Sequence, residues 1–242
     1  MSFYSEFASY YEEVFPFRDE VYAFLRQYAG APSGRVLDIG CGPGHYCGRF
    51  VQDGFMSVGI DLDSQMIASA VQKYPEASFR SMDMSDIGII QEKFRMVFSI
   101  GNVLAHLPRP ALKTFVHDVF SLLEPGGFWV FQVINWDSLL LLKEYTFPLK
   151  VLHDGQLIFH RHYSSVSEDS VRFSSLLKSG DETVFNADVM LFPVRYEAYC
   201  AIHEEAGFTR ENCYSDFRKA SFWNKSGSAL VFVFHTTGSD QS

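Results

Sequence analysis

Apolar and polar segments alternate in a regular order along the first half of the chain. Short apolar runs occur at 36–39, 56–60, 77–80, 96–100 and 128–134. Between these runs, apolar residues recur every three or four positions, as on one face of an amphipathic helix. Strands that alternate with helices predict an α/β fold with a doubly wound, Rossmann-like sheet.

Helical spacing also marks the segment before the first strand. Its aromatic residues are Phe3, Tyr4, Phe7, Tyr10 and Tyr11. A second apolar stripe covers 21–28, with Asp19 as the predicted N-cap and Gly30 just past the end. These patterns predict a helical N-terminal cap over residues 1–33. The simplest interpretation of the aromatic rings is that they pack this cap onto the sheet.

The alternation of strands and helices stops at about residue 135. Three strand-like segments follow, at 157–164, 171–177 and 184–191, and polar turn residues separate them. We expect residues 135–192 to form an antiparallel insertion that covers the mouth of the sheet as a substrate lid.

A helix and two further strands are predicted near the C-terminus. The helix begins at Pro193 and ends before Gly207. The strands, at 209–216 and 229–235, would close a seven-stranded sheet as an antiparallel pair. We therefore assign residues 34–134 and 193–236 to the core. Residues 237–242 read as a flexible tail.

Composition excludes several classes of function. The 242 residues carry a net charge of −9, which argues against a general nucleic-acid binder, because such proteins need a basic surface. No apolar run approaches the length of a membrane span. The four cysteines form neither a C-x-x-C pair nor a disulfide framework. We expect a cytoplasmic protein; the oligomeric state, including a homodimer, stays open.

The most informative stretch is Val36-Leu-Asp-Ile-Gly-Cys-Gly-Pro-Gly-His45. It passes from an apolar strand through Asp38 into three alternate glycines, and a helical segment follows. Glycine can adopt positive φ and leaves room for a ligand near the backbone. A strand, loop and helix in this order predict a small-ligand site at the carboxyl edge of the sheet.

The loop favours a cationic ligand over a dinucleotide. The dinucleotide fingerprint G-x-G-x-x-G requires a third glycine where this chain has His45. Asp38 would repel a pyrophosphate, whereas it suits an ammonium group beside a sulfonium. The loop therefore indicates S-adenosylmethionine rather than NAD.

Together these motifs resemble the class I S-adenosylmethionine-dependent methyltransferases. The stretch 36–44 is similar to the first motif of that family, and the later motifs follow in the family's order. They are Val58-Gly-Ile-Asp61, Ser81-Met-Asp83-Met, Arg95-Met-Val-Phe-Ser-Ile-Gly-Asn102 and Leu122-Leu-Glu-Pro-Gly-Gly127. The resemblance covers about 34–134, and the segment after about 193 fits the family's last helix and hairpin.

The resemblance implies a set of cofactor-binding residues. Around the methionyl part these are Asp38, Gly40, Cys41, Gly42 and Gly44. Asp61 would accept the two ribose hydroxyls, while its neighbour Asp63 fits a helix N-cap better. Leu62, Asp83 and Met84 would contact adenine, although Asp86 lies close enough to be confused with Asp83.

The end of the fourth predicted strand should face the transferred methyl group. Gly101 would allow close approach, and Asn102 and His106 are the candidate catalytic residues. In similar methyltransferases that act on small molecules, a histidine at this place either acts as a general base or only lines the pocket. A hydroxyl of the cap, from Tyr4, Tyr10 or Tyr11, could reach the cofactor carboxylate; we choose Tyr11.

His160 and His162 share one face of a predicted strand, with His153 nearby. No carboxylate or cysteine stands at a suitable spacing, so we predict no metal site. The pair would face solvent or the acceptor pocket, and Arg161 and Tyr163 would face the opposite way.

The sequence thus predicts a methyltransferase that acts on a small amine or hydroxyl acceptor. Two alternatives stay open. One is a protein that binds S-adenosylmethionine without transferring its methyl group, or that acts as a regulatory partner. The other is a nicotinamide-dependent oxidoreductase, against which the missing third glycine counts.

Overall fold

A computed structural model describes residues 10–222 and 227–238. Two short helices, α1 (Tyr11–Val14) and α2 (Asp19–Arg26), precede the first strand. The predicted N-cap at Asp19 is wrong: the cap position is Arg18, and Asp19 is the first helical residue. Phe3, Tyr4 and Phe7 lie outside the described residues.

The alternating half of the chain forms five parallel strands. Four of the five apolar runs are largely buried, whereas the run at 77–80 is partly exposed. Its strands and helices are β1 (Arg35–Ile39), α3 (His45–Gln52), β2 (Met56–Asp61), α4 (Ser64–Lys73), β3 (Ser78–Ser81), β4 (Phe94–Ser99), α5 (Arg109–Leu122) and β5 (Leu123–Ile134). Two 3-10 helices, Met84–Ile89 and Val103–His106, lie before and after β4. The fifth strand begins five residues earlier than expected, because Leu123 already pairs with Phe94 before a register shift.

The insertion folds as a separate antiparallel sheet. After α6 (Trp136–Leu139) come β6 (Tyr145–Thr146), β7 (Lys150–Leu152), a 3-10 helix (His153–Gly155), β8 (Leu157–Ser164), β9 (Val171–Ser179) and β10 (Glu182–Leu191). The strand order is β10-β9-β8-β6, and β7 pairs with another part of β8. The three long predicted strands are present within two residues of their expected ends.

The chain then returns to the central sheet through α7 (Tyr196–Glu205), β11 (Thr209–Tyr214) and β12 (Ala229–His235). The helix begins three residues after Pro193. The completed sheet has the order β11-β12-β5-β4-β1-β2-β3. Strand β12 runs antiparallel to both β5 and β11, so the predicted seven-stranded fold is confirmed.

Apolar side chains fill both faces of this sheet. On one face, Phe115 of α5 and Tyr199 of α7 pack with Trp129. On the other face, Phe24 of α2 and Phe50 of α3 pack with other strand residues. Within the described residues, no helix is long and apolar enough to cross a bilayer.

The topology brings functional residues to one edge. Because β1, β2 and β4 are parallel neighbours, Asp38, Asp61 and Gly101 lie at or just beyond the same ends of the strands. The insertion contacts α1 through a cluster around Val14 and Phe159. It therefore lies close to the edge at which a ligand would bind.

Candidate active site

The glycine loop forms the floor of the site. Gly40 and Gly44 both have positive φ, at 78° and 83°. A Cβ at Gly40 would lie 2.6 Å from Val103, and one at Gly44 would lie 2.6 Å from the ring of Phe79. Both positions therefore require glycine for conformation and for space.

Asp38 is a buried carboxylate with unused hydrogen-bonding capacity. Only 2% of the residue is exposed. Its Oδ2 accepts a weak hydrogen bond from the Cys47 thiol, at 3.9 Å, and Oδ1 has no hydrogen-bond partner among the described residues. Burial, and then the charge of Asp61, raise the pKa of this carboxyl well above its usual range. A cationic group beside Asp38 would relieve both penalties.

Asp61 is oriented by the backbone at the end of β2. Its Oδ2 accepts from the Gly42 N–H at 2.8 Å, and its Oδ1 accepts from the Asp63 N–H at 2.9 Å. Burial raises the pKa of Asp61, and the two N–H donors oppose that rise. Each oxygen can accept a further hydrogen bond, as recognition of a diol requires. Asp63 is the N-cap of α4, as predicted: its Oδ1 accepts from Gln65 and Met66.

A cavity of about 580 Å³ extends from Asp61 towards the residues after β3. Leu62, Asp83 and Met84, for which the resemblance implies adenine contacts, are among its lining residues. Asp83 accepts hydrogen bonds from the Ser85 N–H and hydroxyl, both at 2.8 Å, which fix its orientation. Sequence reasoning missed other apolar residues of the lining: Met66, Met82, Val103, Leu107 and Ala111. No motif marks them, since they converge from separate parts of the chain.

A second cavity, of about 400 Å³, shares Gly101, His106 and Tyr11 with the first. The Gly101 N–H donates to Gln132 Oε1 at 2.8 Å. A Cβ at Gly101 would meet nothing within 4 Å, so the backbone here is open to a ligand. The two cavities therefore meet at the carboxyl end of β4.

The Asn102 side chain forms a hydrogen bond with the backbone of the site. It adopts positive φ, at 66°, and its Oδ1 accepts from the Ile134 N–H at 2.9 Å. The side-chain oxygen thus ties the loop after β4 to β5. This contact supports a positioning role for Asn102.

His106 is half-buried at the junction of the two cavities. Burial alone lowers its pKa to about 4. The imidazole is therefore neutral at pH 7 and is a weak proton acceptor. Burial also lowers the pKa of His45, at the start of α3, to about 4.

Tyr11 and Cys41, which the sequence also predicts to bind the cofactor, lie at different positions near the glycine loop. The Tyr11 ring approaches Gly42, and burial raises the pKa of its hydroxyl. The Cys41 side chain packs with Cys47 and Ile67, its thiol lies 3.5 Å from the Gly42 carbonyl oxygen, and the residue lines the cavity that contains Gly101.

The insertion supplies the far wall of the second cavity. Lining residues that the sequence did not assign to the site include Phe147, Lys150, Phe159 and Phe173. Arg161 and Tyr163 also face the cavity, opposite to His160 and His162. His162 contacts Thr146 at 2.9 Å. The described residues contain no cluster that could hold a metal ion.

These residues fit the sulfonium cofactor that the sequence indicates. The unpartnered oxygen of Asp38 suits a cationic group, and the Asp61 carboxylate suits a diol. A dinucleotide fits less well, because two buried acids with raised pKa values would face its pyrophosphate.

Comparison with known proteins agrees with this geometry. Residues 36–127 match the family model described as a methyltransferase domain. The malonyl-[acyl-carrier protein] O-methyltransferase of Enterobacter lignolyticus is 31% identical over 110 residues, which are 46% of this chain and 43% of that protein. This chain therefore spans less than half the length of that curated relative.

Solved structures share the fold over nearly the whole chain. The CcbJ methyltransferase of Streptomyces caelestis superposes with a TM-score of 0.82 at 18% identity, covering 98% of this chain and 99% of that one. CalS10, an S-adenosylmethionine-bound amino pentose methyltransferase from Micromonospora echinaspora, gives 0.69 at 19% identity, covering 97% and 92%.

Proposed function

We propose that this chain transfers a methyl group to a small-molecule acceptor. The proposal starts from its membership of the S-adenosylmethionine-dependent methyltransferases, to which the domain at 36–127 assigns it. One observation carries the proposal. A cavity lined by Asp61 meets a second, aromatic cavity, which is lined by Asp38, at Gly101 and His106. Two adjoining cavities suit two ligands that react where the cavities meet.

The chain's own residues would hold and orient the reactants. Asp38 would bind the cationic amino-acid end of the cofactor, Asp61 the ribose and Asp83 the adenine side. When bound, S-adenosylmethionine would supply an electrophilic methyl group. An acceptor lone pair would bond to the methyl carbon in line as the carbon–sulfur bond breaks, and the electron pair of that bond would leave on sulfur. Gly101 and Asn102 would keep the backbone open at that point, and the insertion would exclude water.

The role of His106 depends on whether a base must remove a proton from the acceptor. An amine that binds as the free base needs no strong base, and water can take its proton afterwards. A hydroxyl needs a general base to remove its proton, and an imidazole whose pKa is lowered to about 4 is a weak base. The site therefore favours an acceptor that is already nucleophilic at neutral pH.

Other features support a small acceptor in a reducing compartment. The net charge of −9 opposes a nucleic-acid substrate. All four cysteines are free. The named relatives act on both oxygen and nitrogen acceptors, so they support methyl transfer without choosing the atom. We therefore retain a cytoplasmic location as part of the proposal.

The test is calorimetric titration of the full chain with S-adenosylhomocysteine, with NADH as the control ligand. We expect S-adenosylhomocysteine to bind in the micromolar range and NADH not to bind. Asp61→Ala and Asp38→Asn should each weaken binding at least tenfold, or about 1.4 kcal/mol. Asp86→Ala, an exposed acid beside the adenine side, is the matched control and should leave affinity unchanged.

Three results would contradict the proposal. Binding of NADH in preference to S-adenosylhomocysteine would restore the oxidoreductase alternative. Equal loss of affinity in Asp86→Ala would show that general negative charge, and not the two buried acids, binds the ligand. Tight binding without turnover of any acceptor would favour a non-catalytic protein.

A further inference from the structure

Arg161 is a cation in the cavity wall to which the proposed cofactor site assigns no role. It lies on β8, and its side chain lines the cavity that contains Gly101 and His106. Its Nε is buried and has no hydrogen-bond partner among the described residues. Burial lowers the pKa of Arg161, and the nearby Tyr163 and Tyr145 oppose that shift.

Aromatic rings hold the guanidinium without satisfying its donors. It lies 4.5 Å from the centroid of Phe147 and 5.8 Å from those of Phe15 and Phe159. Such contacts stabilise the positive charge through the ring faces. They offer no oxygen acceptor in the plane of the guanidinium, where five N–H donors project. A buried guanidinium in this state is a site for an anion.

The other cations of this cavity already have contacts. Arg18 forms an ion pair with Glu20. Lys150 donates to the Val14 carbonyl at 2.5 Å and lies 4.7 Å from the centroid of the Phe15 ring. Burial, and then the nearby charge of Arg161, lower the pKa of Lys150. The insertion end of the cavity is therefore positive.

The opposite end carries the negative charge. Asp38 lies in the floor of the same cavity, beside the glycine loop. A ligand that spans the cavity from Arg161 to Gly101 thus meets a cation at one end and an acid at the other. This polarity fixes the direction in which a singly charged acceptor can enter.

We propose that the acceptor carries a carboxylate that binds the Arg161 guanidinium, so that its methyl-accepting atom faces Gly101 and His106. The inference rests on the proposed function and adds a substrate class to it. A carboxylate matches the paired N–H donors of one guanidinium edge. A phosphate would bring a second negative charge into the cavity that also contains Asp38. The aromatic walls suit an organic body behind the carboxylate.

The experiment uses the full chain saturated with S-adenosylhomocysteine for binding, and with S-adenosylmethionine for turnover. The probes are matched pairs of an amino acid and its carboxamide, such as glycine with glycinamide and phenylalanine with phenylalaninamide. Inorganic phosphate is a separate arm. Thermal shift measures binding, and release of S-adenosylhomocysteine measures turnover.

We expect carboxylates to stabilise the complex and their carboxamides not to. Arg161→Met should raise the KM or dissociation constant of a carboxylate probe at least tenfold and leave its carboxamide unchanged. Arg161→Lys should recover part of the loss, because it keeps the charge without the paired donors. Arg172→Met is the matched control: this exposed arginine on β9 pairs with Asp188 outside the cavity.

Three outcomes would overturn the inference while S-adenosylhomocysteine still binds. The carboxamides could bind as well as the acids, no carboxylate could bind at all, or phosphate could bind more tightly than every carboxylate. An equal loss in Arg172→Met would also overturn it, since general charge would then explain the effect. If S-adenosylhomocysteine does not bind the wild-type chain, the proposed function falls, and the inference falls with it.

Discussion

At the scale of single residues, the site is built from groups that are costly to bury. Among the described residues, one oxygen of Asp38 has no hydrogen-bond partner, and neither has the Nε of Arg161. Each charge is destabilising in the free protein and would be relieved by an opposite charge on a ligand. The two residues lie in the lining of one cavity, so they define where a cation and an anion would bind.

His106 gives a prediction at this scale. His106→Ala should lower kcat at least tenfold and change the affinity for S-adenosylhomocysteine by less than about twofold, because the ring lines the junction of the cavities. His162→Ala, on the outer face of the insertion, should change neither. Steady-state kinetics with an acceptor from the matched pairs, together with titration, would measure both quantities.

The pH profile separates the two roles of His106. Its pKa is lowered to about 4, so its protonation contributes nothing to activity between pH 6 and 8. A wild-type profile with a step near pH 6.5 that disappears in His106→Ala would contradict this. Full turnover in His106→Ala would show that His106 only lines the pocket.

At the scale of elements, α1 is held between the core and the insertion. Glu12 forms an ion pair with Lys73 of α4, and Glu13 forms one with His153. Between them, α1 presents Tyr11 to both cavities. This short helix therefore depends on partners from the rest of the molecule, since four residues cannot form a stable helix alone.

Asp137 joins the insertion to the last helix. Its Oδ2 accepts from the Tyr196 N–H at 2.9 Å, and its Oδ1 pairs with Arg195 at 2.8 Å. It thus satisfies an N-terminal donor of α7 from another element. We expect Asp137→Ala to lower the free energy of unfolding by about 1 kcal/mol, as for the loss of a helix cap.

Urea denaturation followed by circular dichroism would measure this difference. The matched control is Asp181→Ala, an exposed acid in the turn between β9 and β10. The control should fall within about 0.5 kcal/mol of wild type. An equal effect in both variants would show that Asp137 does not join these elements.

At the scale of the whole molecule, one buried histidine links folding to pH. His203 is fully buried, accepts from the Trp129 indole at 3.0 Å and contacts the Tyr199 carbonyl oxygen through Nδ1 at 2.7 Å. Burial lowers its pKa from 6.5 to about 4. Between these values the unfolded chain binds a proton that the folded chain does not, so stability is lost as pH falls.

Comparison of wild type with His203→Phe isolates this contribution. From pH 6 to 4.5, wild type should lose about 1.4 kcal/mol per pH unit more than the variant. His117→Phe, at an exposed position on α5, should follow the wild-type curve. Parallel unfolding curves for wild type and His203→Phe would show that His203 does not carry the effect.

The sequence by itself predicted the sheet and the residues that we assign to the cofactor. Apolar runs and helical stripes predicted the order of the strands, because burial on both faces leaves a local signature. Asp38, Asp61 and the glycines follow from local rules too, since parallel strands end at one edge and close approach requires glycine. Asp63 as a helix cap depends only on its neighbours in the chain.

Only the tertiary structure showed which residues of the insertion line the second cavity. Arg161, Lys150 and Phe147 come from an insertion whose orientation over the cavity depends on packing between distant segments, such as Val14 against Phe159. The lowered pKa values of His106 and His203 likewise arise from burial by residues far away in sequence. Periodicity could place Arg161 and Tyr163 on one face of a strand. Which face meets the cavity was fixed by the fold, because a strand's pattern does not say what packs against it.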